Sequence, residues 1–192
     1  MSSDRKDTRS RILSAALDLL AAGEKTRMSD IARKAGISRQ ALYLHFEARA
    51  DLLIAATRHL DELNDIDALL AASRAAETGV QRLDAFGEAW GGYIPIVYPV
   101  AKPIMAMSET DDAAHAAWTG RMAAVREGCA AAVDALHRDG RLRSEFDADT
   151  ATDILWAHLS VPVWEMLIQQ RGWTQEEYID RQKLTARRLL VA

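Results

Sequence analysis

The sequence predicts an all-α protein. Proline and glycine are scarce, at 4 and 10 of 192 residues. No stretch alternates polar and apolar residues for long, and apolar residues recur in steps of three and four along nearly the whole chain. Hydrophobic residues make up 49% and charged residues 27%, an ordinary globular balance with enough apolar material for a sizeable core.

The elements follow in order. Residues 8–22 form a first helix, capped by Asp7 or Thr8, with Ile12, Leu13, Ala16, Leu17 and Leu20 on one face and Gly23 at its end. Thr26 is placed to cap a short helix over 27–34. Gly36-Ile37-Ser38 reads as a tight connection: glycine supplies the positive φ of the turn, and Ser38 caps a third helix over 39–45. A longer helix starts near Ala48–Asp51 and runs to about Ala75, and another runs from about Val80 to Val97. The stretch Gly91 to Met107 is nearly all apolar but holds Pro95, Pro99, Pro103 and Lys102. A membrane-spanning helix needs about 20 apolar residues and does not welcome three prolines, so this stretch is expected to be a broken, buried helical corner.

Residues 111–138 form a long helix with Trp118, Met122, Val125, Cys129, Ala132 and Leu136 in one stripe. Asp139-Gly140 ends it. Asp147 or Asp149 caps a helix reaching Gln170, in which Pro162 frees the carbonyl of His158 and should cause a kink. Between Ile154 and Ile168 only His158, Ser160 and Glu165 are polar, so that helix must be covered on more than one side, by its own core and by a partner surface. Thr174 and Glu177 form a capping box for the last helix.

The net charge of −4 argues weakly against a nucleic-acid partner, but the average conceals an asymmetry. Residues 1–50 hold ten basic and five acidic groups, a net of +5, and the remainder carries −9. Such a split hints at a basic binding module on an acidic body. The single cysteine, Cys129, excludes an intramolecular disulfide framework and a cysteine-built zinc site. No apolar run follows the first residues, so a cytoplasmic protein is expected.

Residues 28–46, MSDIARKAGISRQALYLHF, carry the strongest functional pattern. Two short helices cross steeply, with small Ala32 at their approach, Gly36 in the turn, and Ile37 and Leu42 filling the wedge. This is a helix-turn-helix, whose second helix enters the DNA major groove. Its N-terminal outer face presents Arg39, Gln40 and Tyr43, with Leu44 beside them. Arginine bonds bidentately to guanine, glutamine pairs with adenine, and an aliphatic group touches a thymine methyl. Thr26, Arg27, Ser38, His45 and Arg49 are candidates for phosphate contact. The alternative is a helical protein-binding adaptor that does not bind DNA; the charged outer face, with Arg27, Arg39, Gln40 and Arg49 rather than an apolar patch, weighs against it.

Residues 8–54 resemble the DNA-binding domain of the TetR family of transcriptional regulators. The matching stretches are TRSRILSAALDLLAAG, MSDIARKAGISRQALYLHF and ARADLL, with the LY-x-HF signature of Leu42 to Phe46 after the AGIS turn. The resemblance implies phosphate contacts by Tyr43 and His45, and by Arg49 where a lysine is more common. The segment Gly23–Met28 is about one residue shorter than the usual form, and Glu24 replaces the usual aromatic. More loosely, SVPVWEMLIQQRGWTQEEY resembles the end of one broad group of such regulators.

The family implies a domain over 1–48 that binds a palindromic double-stranded operator, followed by a helical effector-binding and dimerisation domain over 49–192. It also implies repression relieved by a small molecule, and a homodimer formed by helices at about 149–170 and 175–191. Trp156, Ser160, Val163, Leu167 and Leu184 are the candidates for the dimer surface. Phe86, Trp90, Tyr93, Tyr98, Met105, Trp118, Met122 and Trp164 are candidates for an effector cavity, because large aromatic groups beside a proline-broken corner supply both apolar walls and N–H or O–H donors.

No enzyme, cofactor or metal is expected. There is no P-loop, nucleophile elbow or dinucleotide fingerprint. The pairs Asp112/His115 and Asp134/His137 lie on one helix, roughly 33 Å apart at 1.5 Å per residue, and cannot converge on a di-iron centre.

Overall fold

The computed structural model describes residues 2–192. Among the described residues eleven helices form: α1 (Ser2–Ala21), α2 (Met28–Lys34), α3 (Arg39–Tyr43), α4 (Arg49–Leu63), α5 (Ile66–Leu69), α6 (Ala71–Arg74), α7 (Gly79–Met107), α8 (Asp112–Arg138), α9 (Ala148–His158), α10 (Val161–Glu165) and α11 (Gln175–Leu190). A π-helical turn, Met166–Gln170, extends α10. Among the described residues no strand forms beyond an isolated bridge between Leu142 and Val191, and no helix is long and apolar enough to cross a membrane. The protein is all-α, with an N-terminal helix-turn-helix domain and a helical C-terminal domain.

The chain packs as two units. The first comprises the segment up to Asp65 with Val97–Arg121, and the second comprises Ile66–Ile96 with Met122–Ala192. In the first, Ile12, Leu13, Ala16 and Leu20 of α1 share a core with Ile31 of α2, Leu42 of α3, Leu52 and Leu53 of α4, Val100 and Ile104 of α7, and Ala114 and Ala117 of α8. In the second, the buried residues are Leu83, Phe86, Trp90, Tyr93 and Ile94 of α7, Val125, Cys129, Val133 and Leu136 of α8, Leu155 and Leu159 of α9, Trp164 of α10, and Tyr178, Ala186 and Leu190 of α11. Burial pushes the Cys129 thiol up to about 12, so it stays protonated as a small apolar group.

Local chemistry ends and starts the helices much as the residues require. Gly23, Gly36 and Gly140 all take positive φ. Ser38 accepts the Ala41 amide, Asp147 accepts the Thr150 amide, and Thr174 with Glu177 completes a reciprocal capping box. Several expectations need correction. Thr26 does not cap α2: the N-cap residue is Arg27, without a side-chain cap, because the Thr26 hydroxyl is engaged by Arg49. The first helix extends back to Ser2 instead of starting at a cap near Thr8. The helix starting at Arg49 stops at Leu63, where the Asn64 side chain bonds the Leu60 carbonyl and Asp65 takes a φ of 46°, before short α5 and α6. The expected broken corner at Gly91–Met107 is part of an uninterrupted 29-residue helix.

The three prolines of α7 are tolerated because of their spacing. Pro95, Pro99 and Pro103 lie four residues apart, on one face of the helix. Each removes one helical bond and frees one carbonyl. Pro95 and Pro99 are exposed, on the side where water reaches the backbone. The carbonyl of Gly91, freed by Pro95, accepts the side-chain amide of Gln175 at 2.7 Å. Gln175 in turn accepts the Trp164 indole N–H at 3.0 Å.

Pro162 behaves differently from the expected kink, since the helix stops and restarts there. Leu159 closes α9, and Ser160 precedes α10, with the proline in its first turn. The Trp90 indole donates to the open Leu159 carbonyl at 2.7 Å.

Gln175 therefore satisfies two partners at once. Gln175→Ala should lower stability by about 1–3 kcal/mol, because it leaves a carbonyl and an indole N–H without partners. Urea unfolding followed by tryptophan fluorescence measures this, and an unchanged midpoint would mean that water replaces the amide without cost.

Candidate nucleic-acid interface

The helix-turn-helix is assembled from α2, the Gly36 turn and α3. Gly36 has a φ of 68°, and the Ile37 amide returns to the Ala32 carbonyl at 3.0 Å. Ala32 and Leu42 are buried between the helices, as the close crossing requires. Two arginines of α1 bind the C-terminal ends of the two short helices. Arg11 donates to the Ala35 carbonyl at 3.0 Å, and Arg5 reaches the Leu44 carbonyl at 3.5 Å. Cations at these ends also oppose the negative pole of each helix. Arg9 lies over the Phe46 ring, 5.0 Å from its centre.

This packing leaves one face of α3 to solvent. Ser38, Arg39 and Gln40 are exposed, Tyr43 is 40% exposed and Leu44 73% exposed. The Arg39 guanidinium lies 5.5 Å from the centre of the Tyr43 ring, and its Nη2 donates to Tyr43 Oη at 3.3 Å. That bond holds the Arg39 charge even more firmly than usual. Arg27 is exposed at the start of α2. His45 is half-buried and turns toward a cleft of about 550 Å³ within the first unit, lined also by Arg9, Phe46, Asp51, Ile54 and Arg58.

Thr26 and Arg49 do not join that face. Thr26 is 2% exposed. The Arg49 guanidinium donates from Nε to the Thr26 carbonyl at 2.7 Å and from Nη2 to the Thr26 hydroxyl at 2.9 Å. Its Nη1 contacts both carboxylate oxygens of Asp111, at 2.7 and 2.6 Å. All three nitrogens make bonds inside the unit and Thr26 is buried, so neither residue is presented on the face that carries Arg39 and Gln40, where both are expected to meet phosphate.

Asp111 precedes α8 and also accepts the Ala114 amide at 3.0 Å. Burial alone would raise its pKa; the Ala114 amide and the Arg49 guanidinium outweigh that and hold the carboxyl below the ordinary carboxylate value. A second pair, Arg121 with Asp61 at 2.6 Å, ties α8 to the other end of α4. Neither acidic partner was recoverable from the motif, because each lies about 60 residues from its arginine.

The body residues singled out by sequence divide between the units. Tyr98, Met105 and Trp118 belong to the first, and Phe86, Trp90, Tyr93, Met122 and Trp164 to the second. Phe86, Trp90, Tyr93 and Trp164 are buried, and Trp90 meets Tyr93 edge-on at 6.3 Å. The indole donors of Trp90 and Trp164, expected to face an effector, are bonded to Leu159 and Gln175. His158, pressed down by burial, hydrogen-bonds the Gln182 carbonyl at 3.1 Å. On α9 to α11, Trp156, Ser160, Val163 and Leu167 are half-buried and Leu184 is exposed, alongside exposed Met166 and Trp173. The buried Trp156 indole N–H has no hydrogen-bond partner among the described residues.

Residues 12–56 match the family described as bacterial regulatory proteins, tetR family. No curated protein matches the chain in sequence. Among solved structures, the chain resembles a protein named as a transcriptional regulator from Saccharomonospora viridis in complex with choline. The identity is 21% and the TM-score 0.74, over 97% of this chain and 99% of that one. It also resembles NalD of Pseudomonas aeruginosa, the secondary repressor of the MexAB-OprM multidrug efflux pump, at 21% identity and TM-score 0.72, over 97% and 98% of the chains. A TetR transcription regulator from Haloarcula marismortui matches at 16% identity and TM-score 0.70, over 97% and 100%. At these identities the likeness is one of fold.

The Asp111 ion pair has a pH signature. Because folding lowers the Asp111 pKa, its contribution is complete above the unfolded value of about 3.9 and is lost as pH falls through the lower folded value. Asp111→Asn keeps a capping oxygen but removes the charge. The variant should unfold at lower denaturant than wild type at pH 7, with the gap closing below about pH 4. A gap that stays constant down to pH 3 would assign the loss to something other than the carboxylate.

Proposed function

Because residues 12–56 match the tetR family of bacterial regulatory proteins, we propose that the protein is a DNA-binding transcriptional regulator of that family, a homodimeric, cytoplasmic repressor. It binds a palindromic operator and leaves it when a small molecule binds. Residues 1–48 are the operator-binding domain and 49–192 the effector-binding and dimerisation domain. The observation that carries the reading is the exposed start of α3, where Arg39 and Gln40 stand on a helix fixed by its Ser38 cap and its buried Leu42. A rigid short helix with donors and acceptors at its N-terminal end is the geometry that reads base edges.

Arg39 and Gln40 take the base contacts. Arg27, Ser38, Tyr43 and His45 take phosphates, and Leu44 is placed for a thymine methyl. Thr26 and Arg49 support the domain instead of touching DNA. The half-buried apolar strip of Trp156, Val163 and Leu167, with exposed Leu184, is covered by the same strip of a second copy, which makes the interface self-complementary. The dimer sets two recognition helices about 34–36 Å apart, one helical turn of DNA. An effector held in the body releases DNA only by favouring a dimer with a different spacing. The choline bound to the Saccharomonospora viridis protein and the repressor role of NalD support this part of the reading.

Selection of DNA from a random pool by the full-length protein, followed by gel shift at rising salt, tests the function. The expected result is one palindromic site bound with a strong salt dependence. Failure to enrich any sequence would overturn the proposal. Gln40→Ala should relax the choice at one base pair by about 1–3 kcal/mol. Arg27→Ala should weaken all sequences alike and lower the salt slope by about one, whereas Arg49→Ala should leave the slope unchanged.

A further inference from the structure

Three arginines of the first unit are held by carboxylates, and Arg5 and Arg11 are held by backbone carbonyls. Arg33 pairs with Asp30, Arg49 with Asp111 and Arg121 with Asp61. Arg39 is held by a neutral phenol. It is the first residue of α3 and Tyr43 is the last, so the pair spans the whole five-residue helix, one turn apart on the same face. The Tyr43 ring supports the guanidinium at 5.5 Å, and Tyr43 Oη accepts one Nη2 hydrogen at 3.3 Å. Nη2 keeps a second hydrogen and Nη1 keeps both, so donors remain for a contact with a base edge. The phenol holds the guanidinium without neutralising it.

We infer that Tyr43 is a positioning residue for Arg39, setting which base pair the arginine reads and how strictly. An arginine loses much side-chain freedom on binding, and stacking on an aromatic face removes part of that loss in advance. The phenol also has its own hydrogen left to donate. A phosphate that accepts it fixes Tyr43 Oη, and through Oη fixes Nη2 of Arg39. Backbone contact and base reading are thereby joined in one side chain. A phosphate contact alone would affect every DNA sequence equally; a positioning role affects one base pair more than the others. This inference rests on the proposal that Arg39 faces base edges.

The experiment uses the full-length protein and the operator selected from the random pool. Binding is measured to that operator and to each single base-pair variant, at low salt so that weakened proteins still bind. Arg39→Ala should erase discrimination at one base pair. Tyr43→Ala should reduce discrimination at that same pair by about two- to fivefold, beyond any uniform loss, in keeping with an exposed cation–π contact. Tyr43→Phe, which keeps the ring, should retain more of it than Tyr43→Ala. In the Arg39→Ala background, Tyr43→Ala should change only the uniform affinity.

Without DNA, nitrogen relaxation at Arg39 Nε should show an ordered side chain in the wild type and a more mobile one in Tyr43→Ala. Equal loss on all sequences in Tyr43→Ala, or an Arg39 Nε equally mobile with and without the ring, would overturn the positioning role while leaving Arg39 as a reader. Unchanged discrimination in Arg39→Ala would overturn the underlying assignment and the inference with it.

Discussion

The guanidinium of Arg49 gathers three separate stretches of the first unit around one charge. It starts α4, binds both the carbonyl and the hydroxyl of Thr26 ahead of α2, and grips the carboxylate of Asp111 ahead of α8. The orientation of the helix-turn-helix depends on where α2 begins, and α2 begins beside Thr26. A half-buried charge is costly unless both its partner and its spare hydrogens are satisfied. Here the fork of donors meets a carboxylate on one side and a turn on the other, an arrangement available to a planar guanidinium and not to a lysine ammonium. With Arg121 and Asp61 at the far end, α4 is held to α8 by charge at both ends and by Leu52 and Leu53 in the core between them.

The second unit depends on a different constraint, the satisfaction of carbonyls left open by a proline and by a helix end. Pro95 opens Gly91, and the end of α9 before Pro162 opens Leu159. The donors come from Gln175 and Trp90. Since Trp164 also donates to Gln175, α7, α10 and α11 share one polar chain. Buried polar groups of this kind fix which helix faces which, because a slipped arrangement would leave several of them unpaired at once.

These two constraints mark what the sequence could and could not reveal. The helix-turn-helix was legible because its signals are local: a glycine at the turn, a serine three residues before the amide it caps, and Leu42 at the correct spacing. The capping box at Thr174 was legible for the same reason. The continuity of α7 was not, since the cost of Pro95 depends on a glutamine 84 residues from the carbonyl it frees. The resemblance places Arg49 at a phosphate, and only the fold brings Asp111 to it. The early end of α4 turned on Asp65 adopting positive φ, which aspartate tolerates better than most residues but does not announce.

The charge asymmetry of the chain gains a sharper meaning from these partners. A count of +5 over residues 1–50 treats all ten basic groups alike. The structure sorts them by what they bind. Arg49 and Arg33 are paired with carboxylates, and Arg5 and Arg11 bind backbone carbonyls at helix ends, where they support the motif from behind. Arg39 rests on a phenol that leaves its charge intact, and Arg27 stands exposed at the start of α2. An arginine that retains its full charge on an exposed, rigid helix loses little to desolvation until an anion arrives, and then gains both Coulomb attraction and directed hydrogen bonds. The electrostatic specificity of the surface therefore comes less from how many cations it carries than from which of them the fold has left without a carboxylate.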